Sequence, residues 1–408
     1  MAERNFPVAV VTDKAKRSLD KGHPWVYADE VMLVDKAYEN GQLVDVRSQK
    51  GTYLGTGFIN DNSKIRIRII SKNANDKFDE AFWQRRVRYA IDYRKTVMGE
   101  DFNACRLIFG EADSFPGLTL DRFEDVLVAE VLCLGIEKVK HIIFKAAVDI
   151  MREYGEEIDV LYERNDVAVR SLEGMTEYKD FYRLEGLKTD TDGKVIITEN
   201  GIKYTVDYIN GQKTGFFLDQ KYNRRAVARI AKGKKVLDCF THTGAFALNC
   251  AYGGAEHVTA VDISQLAVDN AENNAKMNGL DTRMSFLCTN VFDLLTDMYN
   301  EKKCEYDYII LDPPAFTKSR ATIKQAQKGY KEINLKAMKL LPRGGYLATC
   351  SCSHFMPDEL FRQMLESAAR DANVTLRQIE ARQQSCDHPI LPNVPETDYL
   401  KFYIFQVV

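Results

Sequence analysis

The chain has 408 residues, of which 45% are apolar, 28% charged and 11% aromatic, too long for one ordinary core and therefore two or three domains. No apolar run approaches the roughly 18 residues of a membrane-spanning helix, and Met1 to Val10 lacks the basic start and long apolar core of a signal peptide, so a cytoplasmic protein is expected. The formal charge is −3, yet residues 1–75 carry 12 Lys+Arg against 9 Asp+Glu while the rest carries 44 against 50, which suggests an N-terminal anion-binding surface.

Residues 1–75 read as short alternating strands at 43–46, 53–59 and 65–70, a small β-barrel. In the last strand Arg66 and Arg68 share one face and Ile65, Ile67 and Ile69 the other. That basic stripe is either a solvated strand face or a contact for RNA phosphates. Asp79 to Met98 has helical spacing and several arginines, a linking helix. A second unit begins near Cys105, with a strand at 126–132, a helix at about 137–153 and a strand at 160–163. After the polar stretch 189–193, the turn Glu199-Asn200-Gly201 between apolar-alternating runs signals a hairpin.

From Lys234 onward strands at 235–238, 257–262, 284–287, 308–312 and 345–349 alternate with apolar helical stretches, the pattern of a parallel sheet wrapped by helices. A final strand covers 402–408. The first of these strands runs through Asp238-Cys239-Phe240-Thr241-His242-Thr243-Gly244 into a helix. Phe240 and His242 stand where a dinucleotide pyrophosphate would need bare backbone, which argues against nicotinamide and flavin cofactors. What remains is an acid at the strand end, one glycine for close approach and a helix N-terminus. The second strand ends in Asp262, an acceptor for both ribose hydroxyls, and the third is followed by Asn290, suited to an adenine edge, although each residue singly can also be a cap or core filler. Together they favour an adenosine cofactor without pyrophosphate.

The fourth strand closes in Asp312-Pro313-Pro314-Ala315-Phe316, whose prolines hold a carboxylate and an aromatic ring at the mouth of the sheet. The fifth ends Thr349-Cys350-Ser351-Cys352-Ser353-His354. A thiol there matters because C5 of a pyrimidine becomes nucleophilic only after a nucleophile adds at C6. His354 is either a neighbour of that thiol or a surface residue. The nine cysteines are an odd number without the spacings of a disulfide framework or a zinc ribbon, and no metal is expected.

At these residues the chain resembles the class I S-adenosylmethionine-dependent methyltransferases, specifically the RlmI-type ribosomal RNA large-subunit cytosine-C5 methyltransferases, over essentially its whole length. Lys21-Gly22-His23-Pro24-Trp25-Val26-Tyr27 resembles the start of that family's PUA domain, an RNA-binding module, and Phe115 to Arg122 its central α+β domain. Gly211 to Gln220 resembles the entry to its catalytic domain. The resemblance implies S-adenosyl-L-methionine as cofactor, held by Gln220, Asp238, Phe240, Thr243, Gly244, Asp262, Asn290 and Asp312. It implies Cys352 and Asp312 as catalytic residues, and Pro313, Pro314 and Phe316 as substrate contacts. Asn290 stands where an acid is common, and Ala315 replaces the second cysteine of another RNA cytosine methyltransferase family. Asp387-His388-Pro389 either lines the site or braces a loop.

The expected architecture is multidomain: a PUA-like RNA-binding barrel over 1–75, a linking helix and central α+β domain over 76–190, and an α/β Rossmann-like methyltransferase domain with a seven-stranded sheet over 191–408. The expected partner is large-subunit ribosomal RNA, with no membrane. The rival readings are guanine-N methylation without covalent catalysis, since Asp-Pro-Pro-x-Phe loops also occur in such enzymes, and a non-catalytic RNA-binding or ribosome-assembly factor.

Overall fold

The computed structural model describes residues 5–317 and 319–408. The N-terminal strands are β1 (Val8–Val11), β2 (Trp25–Val26), β3 (Val31–Val34), β4 (Leu43–Ser48), β5 (Tyr53–Ile59) and β6 (Ile67–Ser71), with helix α1 (Asp13–Asp20) after β1. They form one sheet in the order β2-β6-β5-β4-β1-β3, in which only β1 and β4 pair parallel. The alternating apolar residues seen in the sequence fill its core, with Val44, Val46 and Ile67 packed against Ala15 and Leu19 of α1.

The basic stripe expected on β6 is not an open surface. Arg66 is bound to Asp61 at 2.7 Å and donates to the Tyr38 hydroxyl. The Arg68 side chain is only 13% exposed and bridges Glu111 at 3.2 Å and Glu173 at 3.0 Å. β6 begins at Ile67, so Arg66 precedes the strand instead of sharing a strand face with Arg68, and alternation carries no information about the acids from distant segments that meet Arg68.

Helix α2 (Glu80–Met98) matches the expected linking helix and is capped by Asp79, whose carboxylate accepts from Phe82 N at 3.0 Å. It is followed by β7 (Ala104–Phe109), β8 (Leu118–Phe123), β9 (Val126–Val131), α3 (Leu134–Glu153), β10 (Val160–Asn165) and β11 (Tyr178–Phe181), in the sheet order β11-β10-β9-β8-β7. β9 and β10 are parallel, with α3 as the crossover. The sequence predicts no strand at β7 or β8, because charges interrupt them. Those charges pair across the ladder: Arg106 is opposite Asp121 and grips it at 2.7 and 2.9 Å. Phe58 of β5 stacks on Trp83 of α2, rings 6.1 Å apart and nearly parallel.

The predicted hairpin is present as β12 (Lys194–Glu199) and β13 (Ile202–Asp207), and its turn puts Asn200 and Gly201 at φ of 53° and 81°, as a two-residue primed turn requires. Then come α4 (Lys221–Ala228), β14 (Lys235–Cys239), α5 (Ala245–Tyr252), β15 (His257–Asp262), α6 (Gln265–Met277), β16 (Met284–Cys288), α7 (Val291–Glu301), β17 (Tyr308–Leu311), α8 (Ile323–Leu340), β18 (Tyr346–Ser351), α9 (Asp358–Ala372), β19 (Leu376–Arg382) and β20 (Lys401–Val407). Their seven-stranded sheet has the order β16-β15-β14-β17-β18-β20-β19, five parallel strands followed by two antiparallel ones. Its middle strands are largely apolar because helices cover both faces; Leu237, Ile309, Leu311 and Leu347 pack with Ile333 and Phe361.

The chain folds as two compact units. One comprises residues through Ile197 with Val206–Leu218 and Cys386–Thr397; the other comprises Thr198–Thr205, Asp219–Ser385 and Asp398–Val408. Among the described residues no helix is long and apolar enough to cross a membrane.

Candidate active site

Ligands of such sheets gather at the carboxyl ends of the strands, where the order of the strands reverses. Here β14 lies between β15 and β17, so the loops after these strands converge. Asp238, the penultimate residue of β14, is fully buried; its Oδ2 accepts from Thr241 Oγ1 at 2.6 Å and Ala247 N at 3.0 Å, while Oδ1 has no described partner. Burial pushes its carboxyl up to about 7, with the Asp312 charge acting in the same direction and the Thr241 bond opposing.

The loop that follows is held under backbone strain, with Phe240 at φ 65° and His242 at φ 50°, both in the left-handed region that non-glycine residues avoid. Gly244 is at φ 80°, and a β-carbon there would stand 2.6 Å from Leu248 Cδ1 and 2.8 Å from Ala271 Cβ. Thr243 is buried and its carbonyl accepts from Asn274 Nδ2 at 3.0 Å. These residues therefore shape the loop through its packing against α5 and α6.

Asp262, half-buried at the end of β15, accepts from His242 N and Ser264 N, each at 3.0 Å, so its carboxylate is oriented by backbone. Next to it Ile263 is 71% exposed, a large apolar side chain the sequence reading did not single out. The signal for it was its place directly after a strand-end acid. Asn290 caps α7, its Oδ1 accepting from Phe292 N at 2.9 Å, which leaves the amide N–H groups for a ligand.

Across the sheet, Asp312 Oδ1 accepts from the Cys350 thiol at 2.9 Å and from Gln220 Nε2 at 3.2 Å, while Gln220 Oε1 accepts from Asn223 at 2.7 Å. Gln220 and Cys350, both buried, thus form one network with half-buried Asp312. Burial first, and then the Asp312 carboxylate, raise the Cys350 thiol well above the ordinary range. Cys352 lies one residue beyond β18 and is half-exposed. Pro313 is buried and Pro314 exposed, and the Phe316 ring sits 4.6 Å from Tyr330 and 5.8 Å from Phe292. Ser353 Oγ donates to Thr317 O at 2.9 Å, tying the two chemical loops together.

Two residues of this cluster escaped the sequence reading. Tyr330 of α8 receives a hydrogen bond from Ser351 Oγ at 3.0 Å. Lys401, the first residue of β20, is buried and donates to the carbonyls of Ser353 and Tyr399 at 2.6 and 2.8 Å. Its signal was a single charge at the head of an otherwise apolar strand. His354 is exposed and packs on Phe355. Asp387 and His388 are buried in the other unit, where the Asp387 carboxylate accepts from Arg106 N at 2.8 Å and its carbonyl from Arg94 at 2.9 Å, a loop brace.

An oriented carboxylate for a diol, an amide for an adenine edge, an exposed apolar side chain and no bare-backbone pyrophosphate loop together fit S-adenosylmethionine. The family comparisons agree. The S-adenosylmethionine-dependent methyltransferase family matches residues 170–406, and a PUA-like domain matches 9–72. Over 394 residues the chain is 37% identical to the ribosomal RNA large subunit methyltransferase I of Aliivibrio fischeri (strain ATCC 700601 / ES114), covering 96% of this chain and 97% of that protein. The chain belongs to the ribosomal RNA large subunit methyltransferase I family. The namesake of Klebsiella pneumoniae (strain 342) is 35% identical over 415 residues and the whole of both chains. A putative SAM-dependent methyltransferase from Streptococcus mutans has the same fold, with TM-score 0.81 and 23% identity over 98% of this chain and 100% of that one. As a member of this family the chain is an S-adenosylmethionine-dependent methyltransferase with an N-terminal PUA-like domain.

Proposed function

We propose that the chain methylates C5 of a cytosine in large-subunit ribosomal RNA, with Cys352 adding covalently to C6. The observation that carries this reading is the difference between the two thiols past β18: Cys350 is buried on Asp312, whereas Cys352 is half-exposed at the mouth where the cofactor loops converge. Only Cys352 is placed to meet a base.

S-adenosylmethionine supplies the methyl group from its sulfonium centre. Asp262 accepts from the ribose hydroxyls, Asn290 donates to the adenine edge, and Ile263 covers the adenine face. Asp238, Phe240, Thr243 and Gly244 fix the loop around the ligand, and Gln220 with Asp312 forms its floor. Pro314 and Phe316, backed by buried Pro313, present an apolar ledge and an aromatic ring for the target cytosine. Asp312, already a hydrogen-bond acceptor, orients the polar edge of that base. The names of the relatives support ribosomal RNA as substrate. With Arg66 and Arg68 spent on acids, the RNA role of the N-terminal unit rests on its PUA-like fold rather than on those arginines.

The test is nucleoside analysis of ribosomal RNA from a deletion strain, together with trapping on 5-fluorocytosine-containing RNA. Loss of one 5-methylcytosine and a stable RNA adduct at Cys352 are expected. Loss of a methylguanine without an adduct would replace this reading with nitrogen methylation.

A further inference from the structure

Lys401 is 5% exposed, and its described hydrogen bonds go to two neutral carbonyls, Ser353 O and Tyr399 O. Among the described residues it makes no ion pair with a carboxylate. A buried ammonium whose hydrogen bonds go only to carbonyls is costly unless negative charge lies or forms nearby. Ser353, which holds it, is the residue after Cys352, and Ser351 on the other side is its antiparallel partner across β18 and β20. The ammonium is therefore pinned beneath the short segment that carries Cys352.

We infer that Lys401 is the positioning residue that holds the Cys352 sulfur as a thiolate at neutral pH. The inference rests on Cys352 being the nucleophile. Among the groups facing the lysine, Cys352 pulls hardest electrostatically, ahead of Asp398 before β20, Asp358 at the start of α9 and Cys350 in β18; Asp358 is itself hydrogen-bonded by Tyr403. Burial lowers the lysine to about 8, close enough to an ordinary thiol near ~8.5 for the two groups to share one proton. That proton sits either on Sγ, with neutral Nζ, or on Nζ, with the thiolate. The second form is the nucleophile: as the Sγ–C6 bond forms, the C5=C6 pair moves so that C5 becomes nucleophilic and would accept the methyl group that bound S-adenosylmethionine supplies, the C–S electron pair staying on that cofactor's sulfur. After a base removes the C5 proton, the Sγ–C6 bond breaks and the sulfur returns as thiolate beside the ammonium.

Alkylation of Cys352 in the full-length protein with iodoacetamide, followed by peptide mass spectrometry across pH, reads the thiolate directly. In the wild-type protein the midpoint should lie below the ~8.5 of a free thiol; a midpoint at or above that value overturns the inference. Lys401→Met should raise the midpoint by about one pH unit and slow alkylation at neutral pH by roughly tenfold, with kcat falling more than KM rises, whereas Lys401→Arg should restore the wild-type profile. A folded Lys401→Met protein with an unchanged profile also overturns it. Should that variant lose cofactor binding through misfolding, the wild-type midpoint and the Arg variant decide, a raised midpoint in folded Lys401→Arg counting against. Wild-type methyl transfer in Cys352→Ala would instead discard the nucleophile on which the inference rests. An inactive Cys352→Ala with an unshifted Lys401→Met profile discards Lys401 alone.

Discussion

Two cysteines two residues apart have opposite surroundings, and the contrast sets what each substitution does. Cys350→Ala removes a thiol donor from half-buried Asp312, which keeps its bond from Gln220, and should cost stability by about 0.5–1.5 kcal/mol for one lost hydrogen bond while retaining most methyl transfer. Cys352→Ala should abolish transfer and leave cofactor affinity intact, as calorimetry would report. Asp262→Ala takes away the acceptor proposed for the ribose diol, worth about 1.5–3 kcal/mol for a charged hydrogen bond, and should weaken S-adenosylmethionine binding by roughly 10- to 150-fold. Unchanged affinity in a folded variant would remove Asp262 from the site. Asp238 makes a further prediction in pH. Its folded carboxyl, raised to about 7, holds a proton more tightly than the unfolded chain does, so its stabilising contribution is present in full below about pH 4 and is lost as pH rises through 7. Asp238→Asn should flatten the thermal midpoint over that window, and an unchanged slope would assign the dependence to other groups.

At the scale of elements, what the sequence made legible was what depends on near neighbours in the chain. The Asn200-Gly201 turn, the capped helix α2 and the strand-end acids Asp238, Asp262 and Asp312 all follow from local periodicity and turn chemistry. Strands β7 and β8 are hidden because Arg106 and Asp121 pair across them and Arg122 is held by Glu156, and β19 because it is a largely exposed edge strand without an apolar run. The Arg68 bridge and the Lys401 ammonium were hidden for the same reason: each is defined by groups brought from far along the chain. The cofactor loop offers a test at this scale. Gly244→Ala places a methyl group against Leu248 and Ala271 at a left-handed φ, and should destabilise the fold by about 1–3 kcal/mol and weaken cofactor binding. Wild-type melting and affinity would show that the loop relaxes freely.

For the whole molecule, every residue proposed to hold the cofactor lies in one of the two units. Hydrogen exchange with and without S-adenosylmethionine should therefore show added protection around 236–247 and 260–265 and none in β1–β6. Protection spread evenly through both units would mean that the ligand is read by the entire chain. In the other unit, Phe58 stacks on Trp83, so cutting the PUA-like segment away after residue 72 exposes a core tryptophan rather than releasing an independent module.

The chain crosses between its units several times, and the last return to the first one is Cys386–Thr397. That segment brings the carbonyl that receives Arg94, 293 residues upstream, and the carboxylate that receives Arg106. During synthesis the N-terminal unit accordingly waits, with a guanidinium short of one acceptor, until residues 386–397 have left the ribosome. A product released early lacks a finished copy of either unit, so truncated chains should be cleared by proteolysis instead of lingering as partial RNA binders that compete with the complete enzyme.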